Sequence, residues 1–234
     1  MIHISDTILP LFKTDEPIRI LAYGASATER THCSIHWFDC LDIALRHTYG
    51  RHHHSINTGI SGNTTRDLLL RFNRDAAFYK PHITLITVGA NDANPQKNIS
   101  SADYEKNCLE LLTLFTKINC RVIFQTYYAP DSSLVDPIML KNFYYNMGIL
   151  RKIAKNGNCA IIDHFAYWEP FRKKFPDTYT RLMKDCFHVN ALGNLVLGLF
   201  ISRQFSAEIP SDETELTALA KDILQSLVFI NNRN

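Results

Sequence analysis

The 234-residue sequence lacks the features that mark several classes of protein. No apolar run is long enough to span a bilayer, and the amino-terminal residues do not form a basic segment followed by an apolar one. The formal net charge is only +2, so nothing indicates a surface for nucleic acid or anionic lipid. These absences predict a protein that binds neither nucleic acid nor membrane and that resides in the cytoplasm.

The six cysteines are scattered and form no C-x-x-C pair. Cys108, Cys120 and Cys159 lie in apolar helix or strand patterns, where buried free thiols are expected. Cys186 has no feature that would make it a nucleophile. This usage suits a reducing compartment, which agrees with a cytoplasmic location.

The composition is that of an ordinary globular protein, with 46% hydrophobic and 21% charged residues. Its length suits one sizeable α/β domain and is short for two. We expect an amino-terminal arm over residues 1–17 and one domain over residues 18–205. We expect residues 206–234 to carry a helix that packs on the same domain.

Apolar runs bounded by breaker residues predict strands, and apolar residues at helical spacing predict helices. The predicted strands span 18–23, 52–58, 81–88, 120–127 and 158–163. The predicted helices span 33–49, 68–72 with Thr64 or Thr65 as the cap, 101–118, 138–155, 190–205 and 213–229. This alternation predicts an α/β fold, a three-layer α/β/α sandwich with a five-stranded parallel sheet in flavodoxin-like strand order 2-1-3-4-5.

Residues 164–187 interrupt the alternation. They combine many aromatic residues with several lysines and arginines, and they contain Pro170 and Pro176. We expect a long loop here. Its aromatic side chains either pack under the loop or form a wall that faces a substrate, and the sequence leaves both readings open.

The stretch around Ser26 organises the rest of the chain. The first predicted strand stops at Gly24, which leaves Ser26 at the carboxyl end of the strand, where open α/β sheets bind ligands. A serine at this position is either a helix N-cap or a nucleophile. On this stretch alone, the N-cap is the better interpretation.

Four polar clusters fall at strand ends or just before a helix. They are Gly24-Ala25-Ser26, Gly59-Ile60-Ser61-Gly62, Gly89-Ala90-Asn91-Asp92 and Asp185-Cys186-Phe187-His188. The first three follow neighbouring strands of the predicted sheet and would meet at one edge. Nucleophilic catalysis on an acyl group needs a hydroxyl, a base, an orienting carboxylate and donors for the oxyanion, and these clusters contain all of them.

Asp185 and His188 are three residues apart, so one turn brings the carboxylate under the imidazole. The carboxylate can then accept the Nδ1 proton and leave Nε2 facing outward. Gly62 can offer a backbone N–H from a strained loop, and Asn91 can offer its side-chain amide. Asp92 is interpreted as a structural residue that bonds the loop backbone, and Gly59 as a turn glycine.

These clusters resemble the four blocks of the SGNH hydrolases, the GDSL-type esterase and lipase superfamily. The match spans residues 18–205, and Trp37 is also similar to the family's pattern. The resemblance implies a catalytic triad of Ser26, Asp185 and His188. It also implies an oxyanion hole formed by Ser26, Gly62 and Asn91, with no metal or cofactor.

The sequence departs from the family's pattern at two positions. Ala25 replaces the aspartate that is usual before the nucleophile, which bears on how rigidly that turn is held. Val189 stands where proline often follows the histidine. The consecutive residues His52, His53 and His54 do not predict a metal site, because adjacent strand residues point to opposite faces.

The resemblance implies a serine hydrolase that cleaves a small-molecule or carbohydrate ester, and we favour a small acyl group such as a sugar O-acetyl. An acyltransferase with the same triad is an alternative. A binding module that kept the fold and lost activity is another, and Ala25 is the only residue that favours it. A flavodoxin-like nucleotide binder ranks last, because no glycine-rich phosphate loop follows the first strand. The oligomeric state is not predicted.

Overall fold

The computed structural model describes residues 3–31, 33–157, 159–210 and 215–231. The chain divides into two compact units. The first unit comprises the residues up to Glu29, His52–Tyr127 and Val135–Asp163, and the second comprises Arg30–Arg51, Tyr128–Leu134 and the chain from His164 onward. The predicted division into arm, domain and carboxyl-terminal helix remains a prediction.

A parallel sheet forms the centre of the first unit. Its strands are β1 (Ile18–Gly24), β2 (His53–Asn57), β3 (Ile83–Thr87), β4 (Arg121–Gln125) and β5 (Ala160–Ile162). Their order in the sheet is β2-β1-β3-β4-β5, and every neighbouring pair runs parallel. The predicted fold class and strand order are therefore confirmed. Asn158, where we expected the fifth strand to begin, lies outside the described residues.

The central strand shows why these sequences form strands. All five residues of β3 are buried, so both faces of this strand are covered. A strand covered on both faces reads as a continuous apolar or β-branched run rather than an alternating one, which is the pattern that predicted it.

In chain order, the helices of the described residues are α1 (Ile4–Thr7), α2 (Trp37–Tyr49), α3 (Thr65–Leu70), α4 (Phe72–Asp75), α5 (Ser101–Lys117), α6 (Pro137–Asn156), α7 (His164–Lys174), α8 (Pro176–Thr180), α9 (Ala191–Gln204) and α10 (Glu215–Asn231). Six of them correspond to predicted ones, although α2 begins at Trp37 and not at residue 33, whereas α1, α4, α7 and α8 were not predicted. The start of the last predicted helix, residues 213 and 214, lies outside the described residues. Within the described residues, no helix is long and apolar enough to cross a membrane.

Side-chain caps set two of these helix starts. Thr64 is the N-cap of α3, where it forms a capping box with Asp67. Ser100 caps α5 through the same arrangement with Asp103, so the helix begins one residue after its cap, at Ser101. In each case the cap hydroxyl accepts a backbone N–H that the first helical turn leaves unpaired.

The expectation of a long loop over residues 164–187 is wrong, because residues 164–174 and 176–180 are helical in α7 and α8. Pro170 lies inside α7 and misled the prediction. Trp168, Phe171 and Tyr179 are almost completely buried. These three aromatic side chains therefore pack in the core of the second unit and do not form a wall that faces a substrate.

Candidate active site

The turn after β1 carries the predicted nucleophile. Ala25 is fully buried, and its N–H donates to the Thr87 carbonyl at 3.3 Å. The Ala25 carbonyl accepts the N–H groups of Thr28 and Glu29, each at 3.0 Å, which closes a tight turn over Ser26. The next helix, α2, begins at Trp37 and is capped by His36, so Ser26 is not a helix N-cap.

The loop after β2 lies directly against this turn. The Thr58 N–H donates to the Ala22 carbonyl at 3.0 Å, and the Ile60 N–H donates to the Gly24 carbonyl at 3.1 Å. A Cβ atom at Gly59 would lie 2.4 Å from the Glu29 nitrogen, so only glycine permits this close approach.

Gly62 follows in the left-handed region with a φ of 78°, a conformation that glycine adopts without strain. The Asn63 N–H donates back to the Ile60 carbonyl at 3.3 Å, which closes the loop around Gly62. The predicted oxyanion donor therefore belongs to a short, closed turn.

Asn91, the other predicted oxyanion donor, follows β3. Its Nδ2 donates to the Asn63 carbonyl at 2.8 Å, so one amide hydrogen orients the side chain and a second hydrogen remains on the same nitrogen. This bond joins the loop after β3 to the loop after β2. The segments that carry Ser26, Gly62 and Asn91 thus follow the adjacent strands β1, β2 and β3 in one unit.

Asp92 has the structural role that its position predicted. Its side chain is buried, and its Oδ1 accepts from the N–H and the hydroxyl of Thr65 at 2.9 and 2.5 Å. Burial raises the pKa of Asp92, and the bonds from Thr65 offset only part of that rise. Asp92 therefore fastens the loop of Asn91 to the start of α3.

Asp185 and His188 form a hydrogen-bonded pair in the second unit. His188 Nδ1 lies 2.9 Å from both carboxylate oxygens of Asp185. Asp185 Oδ1 also accepts the backbone N–H groups of Phe187 and His188 at 2.9 and 2.8 Å. Asp185 precedes α9 by six residues, and Asn190 is the cap of that helix. The carboxylate is therefore engaged with the histidine and its own turn, not with the helix end.

The electrostatics of the pair agree with this geometry. Partial burial raises the pKa of the Asp185 carboxyl, but the hydrogen bonds from Phe187 and His188 outweigh it and lower the pKa below the ordinary value. Because the carboxylate stays ionised, it accepts the Nδ1 proton and fixes the imidazole tautomer. The other ring nitrogen, Nε2, is then the basic one.

Tyr128, which sequence reasoning missed, anchors this segment. Its hydroxyl donates to the Phe187 carbonyl at 2.7 Å and accepts the Val189 N–H at 3.3 Å. The residue that replaces the usual proline is thus used as a hydrogen-bond donor, which proline cannot be. Tyr128 follows β4 outside the four clusters, and its sequence position carries no signal of this role.

A metal site needs several ligating side chains that converge on one point. Within the described residues, no group of three or more His, Cys, Asp and Glu side chains is placed to hold a metal ion. His53 is buried, whereas His52 and His54 are exposed, as expected for alternating faces of a strand.

A parallel sheet in the order 2-1-3-4-5, with these loops after its strands, defines an SGNH-type α/β fold. The family model described as "GDSL-like Lipase/Acylhydrolase family" matches residues 22–196. The chain therefore belongs to the GDSL-like lipase/acylhydrolase family, and it is an ester-hydrolysing enzyme.

Relatives and solved structures agree with this assignment. An acetylxylan esterase from Geobacillus stearothermophilus is 28% identical over 163 residues, which are 65% of this chain and 72% of that protein. The crystal structure of Axe2, an acetylxylan esterase from the same organism, has a TM-score of 0.71 at 21% identity and covers 85% of this chain and 98% of its own. LAE5, an α/β hydrolase from the metagenome of Lake Arreo, has a TM-score of 0.70 at 20% identity and covers 83% and 98%. At these identities the two structures show a shared fold.

Proposed function

We propose that this enzyme is a serine hydrolase that cleaves a carboxylic ester through an acyl-enzyme on Ser26. His188 Nε2 takes the proton of the Ser26 hydroxyl, and the oxygen attacks the ester carbonyl carbon. The imidazolium then gives that proton to the departing alcohol as its bond to the carbonyl carbon breaks. Water attacks the acyl-enzyme with His188 again as the base, which releases the acid and restores Ser26.

During both steps the carbonyl oxygen becomes an oxyanion. We assign its donors to the backbone N–H groups of Ser26 and Gly62 and to the Asn91 amide. The hydrogen bond from Asn91 to Asn63 supports this assignment, because it fixes the amide before the charge develops. Donors that are oriented in advance stabilise the transition state without reorganising.

One observation carries the proposal, the contact of His188 Nδ1 with both oxygens of Asp185 at 2.9 Å. A carboxylate in this position holds the imidazole in the tautomer that a general base requires. Ala25 was the residue that favoured an inactive binding module, and the structure of its turn supports the active enzyme instead. The turn at Ser26 is closed by backbone hydrogen bonds of Ala25, which do not need an aspartate side chain.

For the substrate, we propose a small acyl ester and in particular an O-acetyl group on a carbohydrate. The similarity to a protein named acetylxylan esterase supports this choice. Transfer of the acyl group to an alcohol instead of water would use the same triad. Acceptor competition distinguishes the two reactions, because an acyltransferase converts the ester to a new ester when an alcohol is added.

A substrate panel tests this proposal. Purified enzyme is assayed with p-nitrophenyl esters of two to twelve carbons and with acetylated xylo-oligosaccharides, following acetate release. We expect the highest kcat/KM for the shortest acyl chains and measurable deacetylation of the oligosaccharides. Ser26→Ala and His188→Ala serve as inactive controls. A preference for long acyl chains would refute the proposed small-acyl substrate. Activity in both control variants would refute the proposed roles of Ser26 and His188.

We also propose a cytoplasmic location. All six cysteines are free thiols. Burial raises the pKa of Cys40 to about 12 and that of Cys159 to about 11, which keeps these two thiols protonated and unreactive. Free thiols in this number are typical of a reducing compartment.

A further inference from the structure

Arg71 is a buried cation in the first unit that the proposed reaction leaves without a role. It follows α3 directly and is only 8% exposed. Its Nη2 donates to the Gly24 carbonyl at 3.0 Å, its Nη1 donates to the Thr58 carbonyl at 2.7 Å, and its Nε donates to Asn63 Oδ1 at 2.7 Å. One guanidinium therefore binds three acceptors from two loops.

These acceptors flank the proposed catalytic groups. Gly24 ends β1 two residues before Ser26, and Thr58 and Asn63 lie on either side of Gly62. The backbone carbonyl of Asn63 in turn accepts from Asn91 Nδ2 at 2.8 Å. Arg71 thus connects the turn that carries Ser26 (the nucleophile turn) directly to the loop that carries Gly62 (the oxyanion loop). Through Asn63 it is also linked to Asn91.

The chemistry of the site requires arginine. A guanidinium presents five N–H donors in a rigid plane, whereas an ammonium is a single point that cannot reach three separated acceptors. The Tyr23 ring lies under the Arg71 guanidinium at 4.5 Å, and Asp75 Oδ2 lies 3.2 Å from Nη1 and balances its charge. Burying a charge costs more than burying an apolar side chain, so packing alone does not explain an arginine here.

We propose that Arg71 is a positioning residue that locks the nucleophile turn to the oxyanion loop, a role that rests on the function proposed above. In the family pattern the residue before the nucleophile is an aspartate, and here it is Ala25. Backbone hydrogen bonds of Ala25 close the turn itself, but the alanine side chain cannot bind a neighbouring loop. The guanidinium supplies that link from outside the turn, at the carbonyl of Gly24.

The test compares Arg71→Met and Arg71→Lys with a matched control, Arg74→Met. Arg74 bonds the same Asp75 at 2.6 Å, but its side chain is 75% exposed and makes no contact with either loop among the hydrogen bonds of the described residues. We measure kcat and KM for p-nitrophenyl acetate, and hydrogen exchange of the backbone amides of residues 60–63. The exchange measurement does not depend on activity.

We expect both Arg71 variants to lose about 10²-fold in kcat with KM changed less than about threefold, since misplacing reacting groups by about 1 Å costs that much. Residues 60–63 should exchange faster in both, and Arg74→Met should match the wild type. Full kcat in Arg71→Lys, or unchanged exchange in both variants, would overturn the proposal. If Arg71→Met does not fold, the kcat and the amide exchange of Arg71→Lys alone test the proposal. An inactive wild type would refute the proposed function, while the exchange result would still report on the locking of the loop.

Discussion

The substitution Asp185→Asn probes the proposed base most selectively. Asp185 Oδ1 accepts two backbone N–H groups, and both oxygens lie 2.9 Å from His188 Nδ1. Asparagine can keep the backbone bonds through its oxygen while its NH₂ group replaces Oδ2. Because Oδ1 already accepts two backbone N–H groups, the NH₂ donor in place of Oδ2 favours the tautomer with the proton on Nε2, in which Nε2 cannot accept the proton of Ser26.

The expected loss is about 10⁴-fold in kcat, the effect of a wrong tautomer together with a lost countercharge in a serine triad. At about 1.36 kcal/mol for each factor of ten, this is about 5.5 kcal/mol of transition-state stabilisation. The stability of the fold is expected to change little, because the Asp185 side chain is 46% exposed and the backbone bonds are kept. A large kinetic effect and a small thermal one are therefore expected together.

The assay follows p-nitrophenyl acetate hydrolysis, with thermal unfolding and the ¹⁵N shifts of the His188 ring measured on the same samples. Asp131→Asn is the matched control, since Asp131 is a half-buried loop aspartate of the same unit whose carboxylate accepts hydrogen bonds from Ser133. The ring shifts are expected to report protonated Nδ1 in the wild type and protonated Nε2 in Asp185→Asn. A variant that keeps kcat within tenfold of the wild type, with the tautomer unchanged, would refute this reasoning.

Three further predictions concern single side chains. Asn91→Ala is expected to lower kcat by about 10²- to 10³-fold with the fold intact, as for the loss of one oxyanion donor, in the same esterase assay. Burial raises the pKa of Asp92 above 3.8, so its contribution to stability is present below that pH and is lost as pH rises through the folded pKa. In urea denaturation, the stability of Asp92→Asn relative to the wild type should therefore increase as the pH rises above 3.8. Trp168→Ala removes a fully buried indole and is expected to cost about 3–5 kcal/mol of unfolding free energy, whereas Leu134→Ala, which is 70% exposed, should cost under about 0.5 kcal/mol.

The sheet could be predicted from sequence because burial on both faces leaves a direct trace. The run that predicted β3 at residues 81–88 contains the observed strand Ile83–Thr87 and extends past it only at the ends. A strand ends where its backbone hydrogen bonds to the neighbouring strands stop, and the apolar content of the sequence does not indicate that position. The polar clusters that follow β1, β2 and β3 lie at one edge of the sheet, because the carboxyl ends of parallel strands meet at the same edge.

Two of the features that escaped prediction did so for different physical reasons. Pro170 is a breaker in a local pattern, yet α7 continues through it, since burial of Trp168 and Phe171 favours the helix over its local cost. Arg71 reads as an ordinary charged residue at the end of a helical pattern. Its role depends on carbonyls of Gly24 and Thr58 that are distant in sequence, and no local motif records such contacts.

The identity of the nucleophile is the central claim, and covalent labelling tests it most directly. The enzyme is treated with a fluorophosphonate, digested, and mapped by mass spectrometry, in parallel with Ser26→Ala. We predict one phosphonylated residue, Ser26, with a stoichiometry near one that matches the loss of esterase activity, and no labelling of the variant. Labelling at another residue, or turnover of p-nitrophenyl acetate that persists in Ser26→Ala, would contradict the account.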